Sequence, residues 1–333
     1  MPAFPRALRY GLGHWVVRRV LRVSPRPGLR FWQGAGQQLG ALLWWVAPRE
    51  RRRALQHLRC AFPDAGEAWQ REVARACARH LGCLAGEAVW LAGVAPEQLL
   101  AHSTFRGVEH LEQCLRTGQG AVLVTAHCGN WEWLNLALAA RGTPLTIAVR
   151  ALEDPRFDSI VCSIRERFGS RSIARGEGAG RALLAALRKG AVIGLLIDQD
   201  IDAPGCFVEF FGRPAWTPTG AAALARHLKR PIVVAFAARR SDGTMVLAFD
   251  EPIHPVLSGD READARALTA RLTARIEQQI RSYPEQWVWM HRRWRRQPLD
   301  GDEVLSLRYN ASTPPPPRRQ SGARGGGVGE EDR

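Results

Sequence analysis

Hydrophobic positions fall into two rhythms along the chain. From Arg49 to about Ala92 they recur at helical spacing, with Leu55, Leu58 and Phe62, then Val73, Ala76, His80, Leu81 and Leu84. The Pro63-Asp64 pair predicts a turn between two helices, and Pro96 opens a short helical piece ending at Ala101. Short apolar, β-branched runs then take over. Ala121–Thr125, Thr146–Val149, Gly190–Ile197, Pro231–Phe236 and Met245–Phe249 read as strands, and Trp287–Met290 as a last short one. Between them Trp131–Ala140, Asp158–Phe168, Arg181–Arg188, Thr219–Leu228 and Asp264–Arg281 read as helices. Strands alternating with helices, several of them apolar throughout, predict an α/β fold with a mixed, mostly parallel central sheet flanked by helices.

The front of the chain follows a third pattern. Leu8, Leu12, Trp15, Val16, Val20 and Val23 lie at roughly helical spacing, but Arg9, Arg18, Arg19 and Arg22 interrupt them. Such a segment cannot span a bilayer and reads as a basic amphipathic helix for a membrane surface. Residues 31–46 add Trp32, Leu39, Leu42, Leu43, Trp44 and Trp45, with Gln33, Gln37 and Gln38 keeping the run short of a span. Two amphipathic helices docked on the body of the protein fit the same pattern. The expected division is a membrane-associating segment over 1–48, a catalytic domain over 49–309, and a disordered Pro-, Gly- and Arg-rich tail over 310–333. No long apolar core precedes a small-residue cleavage site, so no secretory signal is expected.

Charge sharpens this picture. The formal net charge is +15, and the first sixty residues hold twelve arginines against one acidic residue, Glu50. An anionic partner follows: an anionic membrane surface, an acidic carrier or nucleic acid. Lysine occurs only at Lys189 and Lys229, so part of the arginine excess reflects coding bias. No nucleic-acid-binding motif is present, and no nucleic-acid partner is expected. The seven cysteines are scattered without C-x-x-C pairing, which fits reduced thiols and suggests no zinc site.

Candidate chemistry lies just past the first strand. His127 follows Ala121–Thr125, at the carboxyl end of a strand, where α/β sheets collect ligand-binding groups. Glu132 stands five positions on. Inside one helix the two side chains would diverge by roughly 140°, but Gly129 and the N-cap candidate Asn130 intervene. The carboxylate in the first helical turn is therefore expected to reach back to the imidazole. His127 would then act as a general base on a hydroxyl, with Glu132 fixing the ring tautomer, and helix-start N–H groups or a nearby arginine stabilising an oxyanion.

Ala126-His-Cys-Gly-Asn-Trp-Glu132 resembles the H-x4-(D/E) signature of lipid acyltransferases, in the form found in the late acyltransferases of lipid A biosynthesis, the lauroyl/myristoyl type. Further blocks extend the resemblance: Arg53–Pro63, Val149-Arg150 followed by a helix carrying Arg165 and Arg167, Leu196–Asp200, Phe207–Gly212 with Thr217, and Tyr283–Trp294. It covers about Arg49 to Trp294. It implies acyl carrier protein as donor partner and a lipid hydroxyl as acceptor, often on a phosphorylated glucosamine disaccharide, at the cytoplasmic face of the bacterial inner membrane. His127 and Glu132 are the implied catalytic pair, and Arg165, with Arg150 as second candidate, the implied oxyanion stabiliser. No cofactor, metal or nucleotide is implied.

Asn130, Arg150, Asp198, Asp200 and Arg292 complete the candidate site as substrate-binding residues. Asp198 and Asp200, at a strand end, either hold an arginine or the acceptor's sugar, or cap the next loop. His291-Arg292-Arg293 with Trp287, Trp289 and Trp294 suits a lipid interface, where arginine meets phosphate; its alternative is a capped sheet edge. Members of the family commonly begin with a hydrophobic membrane helix, from which this arginine-broken front departs. Competing readings are acylation of glycerol phosphate, a mannosylated phosphoinositide or an ornithine lipid, a basic nucleic-acid-binding protein, and an inactive membrane scaffold.

Overall fold

The computed structural model describes Arg19 and residues 27–306. The expected amphipathic helix near residues 7–23, Arg19 apart, and the tail beyond 310 lie outside them.

Three helices open the described chain: α1 (Leu29–Val46), α2 (Pro48–Ala61) and α3 (Glu67–Gly93). Pro48 stands at the first position of α2, where its missing N–H costs nothing. Glycines set the packing of α1 on α3. A Cβ at Gly82 would run into the carbonyl oxygen of Gly36, and one at Gly86 into that of Trp32, so the two backbones meet without side chains between them.

After α4 (Pro96–Ala101) the chain alternates as β1 (Ser103–Arg106), α5 (Val108–Arg116), β2 (Ala121–Thr125), α6 (Trp131–Ala140), β3 (Leu145–Val149), α7 (Pro155–Arg167), β4 (Arg171–Ala174), α8 (Ala179–Arg188) and β5 (Val192–Leu196). A hairpin of β6 (Gly205–Phe210) and β7 (Arg213–Pro218) follows, then α9 (Gly220–Leu228), β8 (Ile232–Arg239), β9 (Met245–Phe249), α10 (Arg261–Ser282) and the two-residue β10 (Val304–Leu305).

The main sheet has seven strands in the order β1-β9-β8-β2-β5-β3-β4, and only the β8–β9 pair is antiparallel. This is the expected α/β class. Strand β2, buried throughout, sits at the middle. Its side chains alternate between two cores. Val122 and Val124 pack with residues of α2, α8, α9 and α10, whereas Ala121 and Leu123 pack with residues of α4, α5 and α6. Coverage on both faces is why the strand reads as one apolar run.

Trp287–Met290 is a correction. The segment is a chain of local turns, with Trp289 N–H donating to the Trp287 carbonyl and His291 N–H to that of Val288, and only a single bridge joins Trp287 to Cys128. The interface reading of its aromatic and arginine residues is also overturned at three positions. Trp287, Trp289 and Arg293 are at most 1% exposed. The two indoles fill the core, and the Arg293 guanidinium donates to the Trp216 carbonyl and the Thr217 hydroxyl. Arg292 alone of this group is exposed.

Candidate active site

His127 lies two residues past the end of β2, and Asp198 two residues past the end of β5. These strands pair in parallel with Ala121 opposite Val192 and Thr125 opposite Leu196, a constant offset that also separates His127 from Asp198. Register alone therefore brings the two side by side. Asp198 Oδ1 is 2.8 Å from His127 Nδ1, and its Oδ2 accepts from the His127 backbone N–H at 2.8 Å and from the Trp287 indole N–H at 2.8 Å. Burial of Asp198 opposes ionisation. The nearby His127 charge and these three hydrogen bonds outweigh it and hold the carboxyl at about 2.

A carboxylate at Nδ1 requires that nitrogen to carry the proton. The other nitrogen, Nε2, then has a free lone pair and accepts from the Gln199 amide at 3.1 Å. The ring's edge-on contact with Trp131, centroids 4.8 Å apart, completes its fixation. An oriented imidazole with Nε2 unprotonated can accept a proton from a hydroxyl placed there.

Glu132 does not reach back to His127, contrary to the sequence expectation. Its carboxylate takes a bidentate pair from Arg165, Nε and Nη2 each at 2.8 Å, and accepts from Asn135 at 3.1 Å. Two causes fit. Asp198 already occupies the Nδ1 position, and a guanidinium offered as a fork from the last turn of α7 matches a carboxylate better than one imidazole N–H does. Arg165 keeps its charge: burial works against it, and the Glu132 hydrogen bonds and charge more than compensate. Nη1 is the guanidinium nitrogen that Glu132 leaves unengaged.

The turn between His127 and Glu132 is built for one conformation. Gly129 has φ 67°, and a Cβ there would collide with the Ala237 carbonyl of β8. Asn130 caps α6, accepting from Trp133 N–H at 2.9 Å. It is buried, however, and its amide nitrogen points inward to Glu87; this orientation does not suit the substrate contact expected of it. Cys128 beside the imidazole is no nucleophile, because burial and then the Asp198 charge push its thiol well up.

Of the other candidates, Asp200 resolves toward an arginine anchor, paired with Arg295 at 3.0 Å and with the Arg296 backbone N–H at 2.8 Å. Arg150 follows β3 on the same carboxyl edge of the sheet and is exposed. Neither it nor Arg292 forms a hydrogen bond or ion pair with His127, Glu132, Arg165 or Asp198. Gln199 was not expected at the site; it adjoins Asp198 in the Leu196–Asp200 block. Glu87, Arg239 and His80 beneath the turn were also missed, for nothing in a helical apolar pattern marks Glu87 as facing inward.

An Asp-held imidazole at the carboxyl edge of a parallel sheet, with a carboxylate-clamped arginine on the adjoining helix, is an arrangement able to deprotonate a hydroxyl for group transfer. Comparison with known proteins narrows it. A family model described as bacterial lipid A biosynthesis acyltransferase matches residues 4–296, and the chain belongs to that family. It is an enzyme that transfers acyl groups to lipid. The lipid A biosynthesis acyltransferase of Haemophilus influenzae is 28% identical over 256 residues, 76% of this chain and 78% of that protein. The lipid A biosynthesis myristoyltransferase of Escherichia coli K12 is 25% identical over 258 residues, 76% and 77% of the two chains. The phosphatidylinositol mannoside acyltransferase of Mycobacterium tuberculosis is 28% identical over 192 residues, 56% of this chain and 58% of that enzyme.

Proposed function

We propose that the chain moves a fatty acyl group from acyl carrier protein to a hydroxyl of a lipid A precursor, at the cytoplasmic face of a bacterial inner membrane. The observation that carries this reading is the His127–Asp198 contact of 2.8 Å at Nδ1, which leaves Nε2 as a base. The acceptor hydroxyl takes the place of the Gln199 amide at Nε2 and gives up its proton as its oxygen attacks the thioester carbonyl. Asp198 stabilises the imidazolium that forms. Arg165 meets the tetrahedral oxyanion through Nη1, with Glu132 holding the guanidinium in place. Collapse of the intermediate breaks the C–S bond, and the imidazolium returns its proton to the leaving thiolate.

Charge supports the partners. Acyl carrier protein is acidic and the precursor is phosphorylated, and a net charge of +15 favours both. Residues 49–309 form the catalytic domain in this reading, residues 1–48 the membrane-associating segment and residues 310–333 a tail; Arg150 and Arg292 bind acceptor phosphate. Among the described residues no helix is long and apolar enough to cross a membrane, which favours attachment at the surface. A second acceptor, a mannosylated phosphoinositide, is favoured by the similarity to the mycobacterial enzyme.

The test is transfer from lauroyl-acyl carrier protein, read by mass spectrometry, to a phosphorylated glucosamine disaccharide bearing 3-hydroxyacyl chains and, separately, to phosphatidylinositol mannoside. A new ester on the disaccharide is expected. His127→Ala should lower its formation by about two orders of magnitude or more. Product on the mannoside alone would reassign the acceptor, and near-normal turnover of the variant would remove His127 from the mechanism.

A further inference from the structure

Beneath the His127 turn lies a charged cluster that the mechanism does not use. Glu87 of α3 has a fully buried side chain, and that of Arg239, at the end of β8, is 9% exposed. Their bidentate pair spans 2.5 Å at Nε and 2.6 Å at Nη2. Removing two charges from water is costly, and a buried ion pair is often no more stabilising than apolar groups of the same volume. The stability of the core alone is therefore a poor explanation for this pair.

Two of its further contacts lead to the same turn. Glu87 Oε2 accepts from Asn130 Nδ2 at 2.8 Å, while Asn130 Oδ1 caps α6. Arg239 Nη1 is 2.6 Å from His80 Nδ1, and His80 Nε2 is 3.2 Å from the Gly129 carbonyl oxygen. Burial first, and the Arg239 charge second, push His80 well below the ordinary histidine range. The ring is therefore neutral. Its Nδ1 accepts from Arg239, which leaves Nε2–H to donate to Gly129. Gln33 of α1 closes the set, donating to Glu87 Oε1 and to the Gly243 carbonyl, both at 2.8 Å. Each member of the ion pair thus sends one arm to the two residues that follow Cys128, and together these arms grip the link between the base and α6.

We propose that Glu87 and Arg239 are positioning residues for acyl transfer. Through Asn130 and through His80 they hold the 128–130 turn so that His127 Nε2 stays aligned with the acceptor hydroxyl and Glu132 with Arg165. The proposal rests on the reading of His127 as base. A general base displaced by about 1 Å can lose roughly a hundredfold in rate while binding is little changed.

Substitutions at Asn130 test it, because they cut one arm without stripping a buried charge of its partner. Asn130→Ser keeps an N-cap oxygen for Trp133 but cannot reach Glu87. With lauroyl-acyl carrier protein and the disaccharide acceptor, its kcat should fall roughly 10- to 100-fold, with KM within about twofold and Tm within a few degrees of wild type. Asn130→Asp faces Glu87 with like charge and should lose more. Wild-type kcat in Asn130→Ser overturns the proposal, as does a kcat loss that merely tracks a lower Tm. Asn130→Asp no less active than Asn130→Ser removes Glu87 from it. His127→Ala, assayed alongside, separates the two readings: if that variant is active, the base assignment fails whatever the Asn130 series shows.

Discussion

Asp198 has no freedom to choose another partner. One oxygen faces the imidazole, the other accepts two N–H groups, and the side chain is 1% exposed. Asp198→Asn keeps the shape but presents an amide where Nδ1–H needs an acceptor, so the ring is expected to flip tautomer and protonate Nε2. Turnover should fall by about two orders of magnitude or more with little change in KM. The same substitution has a pH signature. The folded value of about 2 lies below the unfolded 3.8, so the carboxylate's contribution is fully present above about pH 4 and is lost as pH falls toward 2. Wild type should lead the variant by a margin that shrinks by roughly 2 kcal/mol across that window in denaturant titrations; a pH-independent margin would count against the ionised pair. His127 was legible in the sequence because a histidine just past an apolar strand is conspicuous. Its partner was assigned by nearness along the chain, to Glu132, whereas strand register decided it. Asp198 was visible as a strand-end acid, but no sequence feature gives the neighbour of a parallel strand.

At the scale of elements, every long apolar strand was legible, since burial on both faces leaves an unbroken hydrophobic run, and so was each helix of the α/β core except the nine-residue α5 (Val108–Arg116). The short edge strands β1 and β4 were not. Ser103–Arg106 and Arg171–Ala174 are four residues each and partly exposed, too brief for a period to register. The β6–β7 hairpin was hidden by its turn. Phe211 and Gly212 both have positive φ, 53° and 70°, as a two-residue hairpin loop requires, but the usual marker is Asn or Asp before glycine. Phe211 tolerates that conformation with its N–H held by Glu277 at 2.5 Å and the Arg281 guanidinium over its ring. Trp287–Met290 misled in the opposite sense, since alternate tryptophans mimic a strand while filling a core. The α1–α3 contact supplies a prediction. Gly82→Leu must push apart backbones that now touch, so a loss of about 1–3 kcal/mol, read as a lower Tm, is expected, with Gly82→Ala intermediate. An unchanged Tm in the leucine variant would mean that the two helices are not packed this closely.

Across the whole molecule, charge and exposed apolar surface lie together at the front of the chain. On α1, Leu29, Gln33, Gly36, Gly40 and Trp44 face inward, while Phe31, Leu39, Leu42, Leu43, Trp45 and Val46 stay exposed, Trp45 to 68%. Arg49, Arg51, Arg52 and Arg53 follow directly in α2. In the proposed reading these apolar side chains would enter the acyl boundary with the arginines at headgroup height, as a surface-bound enzyme acting on a lipid requires. Deleting residues 1–48 is a poor test of this, because it also removes Gln33 from Glu87 and uncovers the glycine face of α3. Point changes on the outer face avoid that. Leu42→Glu with Trp45→Glu introduces two anions where lipid contact is expected, and leaves every hydrogen bond of the Glu87 cluster in place. Affinity for phosphatidylglycerol vesicles should fall about tenfold or more, since each group loses its apolar burial and meets a like-charged surface. Transfer to acceptor dispersed in neutral detergent should stay within about twofold. Raising salt should weaken the wild type on the same vesicles, because arginine–headgroup attraction is screened while apolar insertion is not. Equal co-sedimentation of variant and wild type at low salt would move the membrane contact off α1 altogether.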